Sequence, residues 1–229
     1  MSFSPLPQRV VAHDALQTFR LRRGRVTAGQ QDALDRLWPG RGVVVDGRPL
    51  DLAALFGRVA PVVLDVGSGM GEATAAAAAA DPGRDVLAVD VHTPGLGALL
   101  RRCEELGLDH VRVADGDARV LLAHMLPAGS LDEVRVWFPD PWPKARHAKR
   151  RLVTPAFLDL VAAALRPDGL LHVATDWAPY AVDVELRLRA HPSLELVSRE
   201  WPATRPVTRF EQQGRAAGRA AHDLLARRR

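Results

Sequence analysis

Val62-Val63-Leu64-Asp65-Val66-Gly67-Ser68-Gly69-Met70-Gly71-Glu72 is the stretch that decides the fold. Its first five residues, four of them aliphatic, read as a fully buried strand. The three glycines that follow stand at alternate positions and remove Cβ atoms where the chain turns from strand to helix, so a ligand can lie against bare backbone. Glu72 to Ala80 continues as a helix. Working outward, Asp85 to Asp90 is a second strand, and the next helix places Leu96, Leu99, Leu100, Cys103 and Leu106 on one face. Val111 to Ala114 and Asp132 to Phe138 are a third and a fourth strand. Thr154-Pro155 is an N-cap and first-turn pair that opens a helix to Leu165, and Pro167-Asp168-Gly169 ends it. Leu170 to Ala174 and Leu194 to Val197 complete six strands. Such alternation predicts an α/β fold with an open, mostly parallel sheet and helices on both faces. Upstream, Thr27 to Leu37 reads as a helix broken at Trp38-Pro39-Gly40. Residues 1–55 read as an N-terminal extension, partly basic, and 56–229 as the main domain.

Ligands of open α/β sheets bind at the carboxyl ends of the strands. A nicotinamide-dinucleotide fingerprint requires glycine at position 72, where this chain has Glu72, a carboxylate that opposes a pyrophosphate. An acid followed by Gly67, Gly69 and Gly71 instead resembles the first motif of class I methyltransferases. Their cofactor, S-adenosylmethionine, carries a cationic sulfonium and an amino group that Asp65 would favour. Asp90 ends the second strand, where an acid accepts hydrogen bonds from ribose hydroxyls. Asp117, in Asp115-Gly116-Asp117-Ala118, is a candidate acceptor for the adenine amino group. Three acids at three successive strand tips are more specific than any one.

The fourth strand runs into Phe138-Pro139-Asp140-Pro141-Trp142-Pro143-Lys144. Each proline fixes its own φ and drives its predecessor out of the helical region. Asp140 is thereby expected in a stiff segment at a strand tip, which suits a site that must hold two reactants in line. Phe138 and Trp142 are candidates either for stacking on a base or for the core. Asp176 stands at the end of the fifth strand, as a site residue or as an N-cap of the next helix.

The chain has 229 residues, 47% hydrophobic and 25% charged, with no apolar run long enough to span a bilayer. No secretion signal is read at the N-terminus, so the cytoplasm is expected. Cys103 is the single cysteine and the eight histidines are scattered, so no metal site is expected. A pI near 10.1 leans towards an anionic partner. The basic residues cluster at Arg20, Arg22, Arg23 and Arg25, at Lys144 to Arg151, and at Arg227 to Arg229. Each cluster reads as a nucleic-acid contact or as a solvated face.

The run Phe138 to Leu152, Phe-Pro-Asp-Pro-Trp-Pro-Lys-Ala-Arg-His-Ala-Lys-Arg-Arg-Leu, strongly resembles the signature of bacterial tRNA (guanine-N7-)-methyltransferases. Thr208-Arg209-Phe210-Glu211 with Gly214 and Gly218 resembles that family's C-terminal motif. Val89 to Gly95, Ala174 to Tyr180 and Arg23 to Gln30 resemble further family segments. The resemblance extends from about Thr18 to the C-terminus, and it implies a class I, Rossmann-like methyltransferase fold and tRNA as partner. It implies that Asp65, Asp90, Asp117 and Asp140 contact S-adenosylmethionine and that Asp140 is also catalytic. It further implies substrate contacts at Lys144, Asp176, Thr208, Arg209, Phe210 and Glu211. RNA contacts are implied at Arg146, His147, Ala148, Lys149, Arg150 and Arg151. Asp65 and Asp90 stand where the family often has glutamate, Arg209 where lysine is common, and Ser68 where a bulkier residue is common.

Guanine N7 already carries a lone pair, so methylation there requires no base. In-line positioning is expected to dominate, with Asp140, and Asp176 or Glu211, favouring the charge that develops on the purine. A-form RNA hides N7 in a deep groove, so an accessible target lies in a loop, as the variable-loop guanosine implied by the family does. A small-molecule methyltransferase would keep the strand-tip acids without requiring Lys144 to Arg151. A non-catalytic RNA-binding module would keep the basic segment without Gly67, Gly69, Gly71 and Asp90. Both sets are present.

Overall fold

The computed structural model describes residues 18–19, 24–202 and 205–229. Arg20, Arg22 and Arg23 of the first basic cluster lie outside the described residues. Two compact units emerge, one within the chain up to Pro127, the other holding Ala128–Arg229 together with Thr18 and Phe19.

The first unit begins with α1 (Ala28–Arg41), β1 (Gly42–Val44) and α2 (Leu52–Phe56). It continues with β2 (Val62–Val66), α3 (Glu72–Ala80), β3 (Asp85–Asp90), α4 (Thr93–Glu105) and β4 (Val111–Asp115). It closes with α5 (Ala118–Val120), which runs into a π-helical turn, Leu121–Met125. Strand order here is β1-β4-β3-β2, with β1–β4, β4–β3 and β3–β2 all parallel. All five β2 residues are buried, the mark of a strand covered on both faces. Leu96, Leu99, Leu100 and Cys103 of α4 pack with Val86, Ala88, Val111 and Val113 in one apolar cluster, which also takes Ala33 and Leu34 of α1. Residues 1–55, read as an extension, thus contain a helix and a strand that belong to this unit's core and sheet.

The break expected at Trp38-Pro39-Gly40 does not occur; α1 runs through Pro39 to Arg41. A capping box starts the helix: the Thr27 side chain accepts from the Gln30 amide and the Gln30 side chain from the Thr27 amide. Leu37 and Trp38 pack on the apolar cluster, so tertiary contact outweighs the proline's local cost.

The second unit comprises β5 (Leu131–Trp137), a 3-10 helix (Ala145–Arg150), α6 (Pro155–Ala164), β6 (Leu165–Thr175) and α7 (Ala178–Ala190). Then come β7 (Leu194–Ser198), α8 (Arg209–Ala216) and β8 (His222–Arg228). Strand order is β5-β6-β8-β7, with β5–β6 parallel and β8 antiparallel to both neighbours. Pro167-Asp168-Gly169, expected to separate helix from strand, lies instead inside β6. Leu165 already pairs with Leu131, and the register shifts before Leu170 meets Glu133. Asp168 takes φ +63° there, a bulge-like irregularity rather than a loop. The helix before it opens as expected, with the Thr154 hydroxyl accepting from the Phe157 amide.

Candidate active site

In the first unit the glycine turn follows β2. Gly67, Gly69 and Gly71 have φ of +81°, +58° and +80°, a region that favours glycine at each position. Open space lies where a Cβ would stand at Gly67 and Gly69, whereas at Gly71 it would lie 2.6 Å from Leu99 Cβ. The first two glycines therefore present bare backbone, and the third lets α3 and α4 approach. Gly95 plays the same part from the other side: a Cβ there would lie 2.9 Å from the Gly69 carbonyl carbon.

The strand-tip acids hold this turn in shape. Asp90 Oδ2 accepts from the Gly69 amide at 2.8 Å, and its Oδ1 from the His92 amide at 2.9 Å. One carboxylate thus clasps the glycine turn and the start of α4 together. Asp65 is buried and accepts from the Thr74 hydroxyl at 2.5 Å, tying β2 to α3. Asp117 is buried too; it caps α5 and takes the Arg119 guanidinium at 3.1 and 2.6 Å. Its carboxylate is therefore engaged by its own chain, which the reading as an adenine acceptor did not anticipate.

In the second unit the chain leaves β5 through Phe138, whose amide donates to the Ala174 carbonyl at 2.7 Å. Phe138 and Trp142, each followed by a proline, have φ of +54° and +44°. Left-handed conformations at two bulky residues cost on the order of 1–3 kcal/mol each and persist where the surroundings impose them. Asp140, half-buried, sits between these two bends. Trp142 is buried, donates its indole N–H to the Thr18 carbonyl at 3.3 Å and meets His147 edge-on. Of its two readings, core rather than base stacking is what the structure shows.

The basic segment divides. Lys144, Arg146 and Lys149 are exposed, His147 and Ala148 are half-buried, and Arg150 lies over the Trp142 ring at 5.1 Å. Arg151, expected to touch RNA, is buried: it donates to the Pro141 carbonyl at 3.0 Å and to Asp183 at 3.1 Å, and covers the Tyr180 ring. It fastens the proline-rich loop to α7, because a guanidinium with this many donors can bind a carbonyl and a carboxylate at once.

Asp176 does not cap α7, whose N-cap is Trp177. Its carboxylate accepts from Arg219 Nε at 2.8 Å, and a Cβ on Gly214 would lie 2.6 Å from its Oδ2. Gly214 is glycine because α8 passes directly over Asp176; Gly218, at φ +73°, follows the helix end. Thr208 caps α8 by accepting from the Glu211 amide at 3.0 Å. Glu211 is buried between Arg205 and Arg215, each at 2.6 Å, while Arg209 and Phe210 face solvent. Arg205, His172 and Asp223 escaped the sequence reading. Only His172 left a signal, as the one polar residue inside the apolar run Leu170-Leu171-His172-Val173.

Among the described residues no cluster of three or more His, Cys, Asp or Glu is arranged to hold a metal ion, and no helix is long and apolar enough to cross a membrane.

A mostly parallel α/β sheet with a glycine turn clasped by an aspartate at the next strand end defines a class I methyltransferase fold. In agreement, a solved 16S rRNA methyltransferase, KamB, superposes with a TM-score of 0.61 at 19% identity, over 82% of this chain and 99% of that one. A family model described as "Putative methyltransferase" matches residues 59–224. A tRNA (guanine-N(7)-)-methyltransferase of Streptomyces avermitilis is 56% identical over 218 residues, 93% of this chain and 75% of that protein. One of Halorhodospira halophila is 52% identical over 217 residues, 92% of this chain and 94% of that protein. The chain belongs to the tRNA (guanine-N(7)-)-methyltransferase family.

Proposed function

We propose that this enzyme transfers a methyl group from S-adenosylmethionine to N7 of a variable-loop guanosine in tRNA, giving 7-methylguanosine, and that it does so in the cytoplasm. The observation that carries the reading is the identity of 56% over 93% of the chain with the tRNA (guanine-N(7)-)-methyltransferase of Streptomyces avermitilis. The first unit's turn fits the cofactor. Gly67 and Gly69 leave open space beside their backbone, and Asp90 stands at the strand end beside them. There Asp90 would accept hydrogen bonds from ribose hydroxyls, and Asp65 would add negative potential favouring a cation. S-adenosylmethionine supplies a methyl carbon on a cationic sulfur; as N7 bonds to that carbon, the C–S electron pair returns to sulfur.

The chain's own residues then have two tasks. Positive charge passes to the purine, so Asp140 favours the charge that develops there in the transition state, and its proline-locked segment keeps it from reorganising. Lys144, Arg146 and Lys149, exposed beside that segment, neutralise tRNA phosphates. No proton has to be removed from N7, so no general base is assigned.

The test is to incubate the protein with labelled S-adenosylmethionine and bulk tRNA, digest the RNA and identify the nucleoside. Label in 7-methylguanosine is expected; label in a ribose methyl or an exocyclic amine would refute the reading. Asp140→Asn, which keeps the shape and removes the charge, should retain the fold and lose most of the turnover.

A further inference from the structure

Arg205 is the most completely buried cation among the described residues' ion pairs, with a side chain 0% exposed. Its Nε and Nη2 bind Asp223 Oδ1 and Oδ2 at 2.7 and 2.9 Å, and its Nη1 binds Glu211 Oε2 at 2.6 Å. The guanidinium lies 5.5 Å from the centre of the Phe138 ring and 4.2 Å from that of Trp201. Asp223 also binds His172 Nε2 at 2.7 Å, and His172 Nδ1 accepts the indole N–H of Trp137 at 3.0 Å. An indole N–H can only donate, so Nδ1 carries the lone pair, Nε2 carries the proton, and His172 is neutral. Burial pushes the Asp223 carboxyl upward, but the hydrogen bonds from His172 and Arg205 outweigh it and hold it below the usual carboxylate range.

The cluster therefore grips both residues at the exit of β5: Trp137 through His172, and Phe138 through Arg205 itself. Through Glu211 it also grips α8, which carries Arg209 and Phe210. Buried ion networks are weak sources of stability, and apolar packing of the same volume often does as well or better. What such a network supplies is a fixed geometry. Phe138 sits in a strained left-handed conformation, and Asp140 follows two residues later.

We infer that Arg205 is a positioning residue for the reaction: its guanidinium, 5.5 Å from the centre of the Phe138 ring while bound to Asp223 and Glu211, sets the course of the Asp140 loop relative to α8. The inference rests on the proposed function for its kinetic consequence, but its structural consequence can be read without substrate. Arg205→Lys keeps the charge and loses the planar fork that binds two carboxylates while covering a ring. Phe138→Leu leaves every hydrogen bond of Arg205 in place and removes the ring.

The experiment compares wild type, Arg205→Lys, Phe138→Leu and the double variant in two ways. In tRNA methylation each single variant should lose about 10- to 100-fold in kcat, the scale of an ångström-sized misplacement, with KM for tRNA unchanged. The double variant should be no slower than the slower single one, because both act through one contact. Native-state hydrogen exchange should quicken at the Phe138, Asp140 and Trp142 amides in both variants and stay at the wild-type rate in Val134 and Val136. Losses that multiply, a raised KM at wild-type kcat, or unaltered exchange in the loop would each overturn the inference. Should Arg205→Lys fail to fold, Phe138→Leu alone decides, and wild-type exchange and kcat in that variant overturn it. If wild-type protein forms no 7-methylguanosine the proposed function fails, while the exchange data still judge whether Arg205 sets the loop.

Discussion

Gly95→Ala sets local and tertiary physics against each other at one methyl group. Gly95 lies in the first turn of α4, where alanine would ordinarily stabilise by about 0.4–1 kcal/mol through a less flexible unfolded chain. The structure reverses that sign. The added carbon would lie 2.9 Å from the Gly69 carbonyl carbon, closer still to the carbonyl oxygen, and 3.2 Å from His92 Cδ2. A carbon and a carbonyl oxygen ordinarily approach no closer than about 3.3–3.6 Å, so the glycine turn and α4 must part by well over an ångström. Forcing a methyl into so short a contact lies at the upper end of overpacking costs, about 3 kcal/mol, which after the alanine gain leaves a net loss of about 2–2.6 kcal/mol. For a chain of this size each kcal/mol lowers Tm by about 2–4 °C, so a fall of roughly 4–10 °C is expected in calorimetry. The same parting strains the 2.8 Å bond from Gly69 to Asp90, so titration with S-adenosylmethionine should show weaker binding. Gly40→Ala is the internal control. It too is helical, nothing lies within 4 Å of its added Cβ, and it should gain about 0.4–1 kcal/mol. A Gly95→Ala protein as stable as wild type, binding cofactor equally well, would refute the close-approach reasoning.

Arg146→Ala combined with Lys149→Ala should flatten the slope of log K for tRNA against log salt by about 1.4–1.8, if each side chain neutralises one phosphate. Cofactor affinity should not change, and an unaltered slope would make the segment a solvated face. Tyr180 is the single tyrosine, buried with its hydroxyl accepting from the Val153 amide, and burial pushes its phenol up to about 12. Its ultraviolet titration should therefore centre near pH 12 in the native protein and near pH 10 after denaturation. Because the folded value lies above the unfolded one, its contribution to stability is complete below about pH 10 and is lost as pH rises towards the folded value. Titration near pH 10 in folded protein would contradict the burial.

Much of the first unit was legible in the sequence because its signals are local. Val62 to Val66 is apolar throughout, the glycines stand at fixed spacing, and Leu96, Leu99, Leu100 and Cys103 repeat at helical period, so strand, turn and helix follow from short-range sterics. The acids at or near the strand ends, Asp65, Asp90 and Asp140, stand out in the sequence for the same reason. Only the tertiary structure decided what those side chains hold. Nothing local distinguishes Arg151 from Arg146, yet Asp183, 32 residues on, buries one and leaves the other in solvent. Nor does composition announce β8: His222 to Arg228 is rich in helix-tolerant Leu, Ala and Arg, and it becomes a strand because it fills the place between β6 and β7. Proline in α1 and the Pro167-Asp168-Gly169 bulge follow the same rule. Periodicity reports which face of an element is apolar, whereas the partner that covers it, and the carboxylate that claims each arginine, come from residues far apart in the chain.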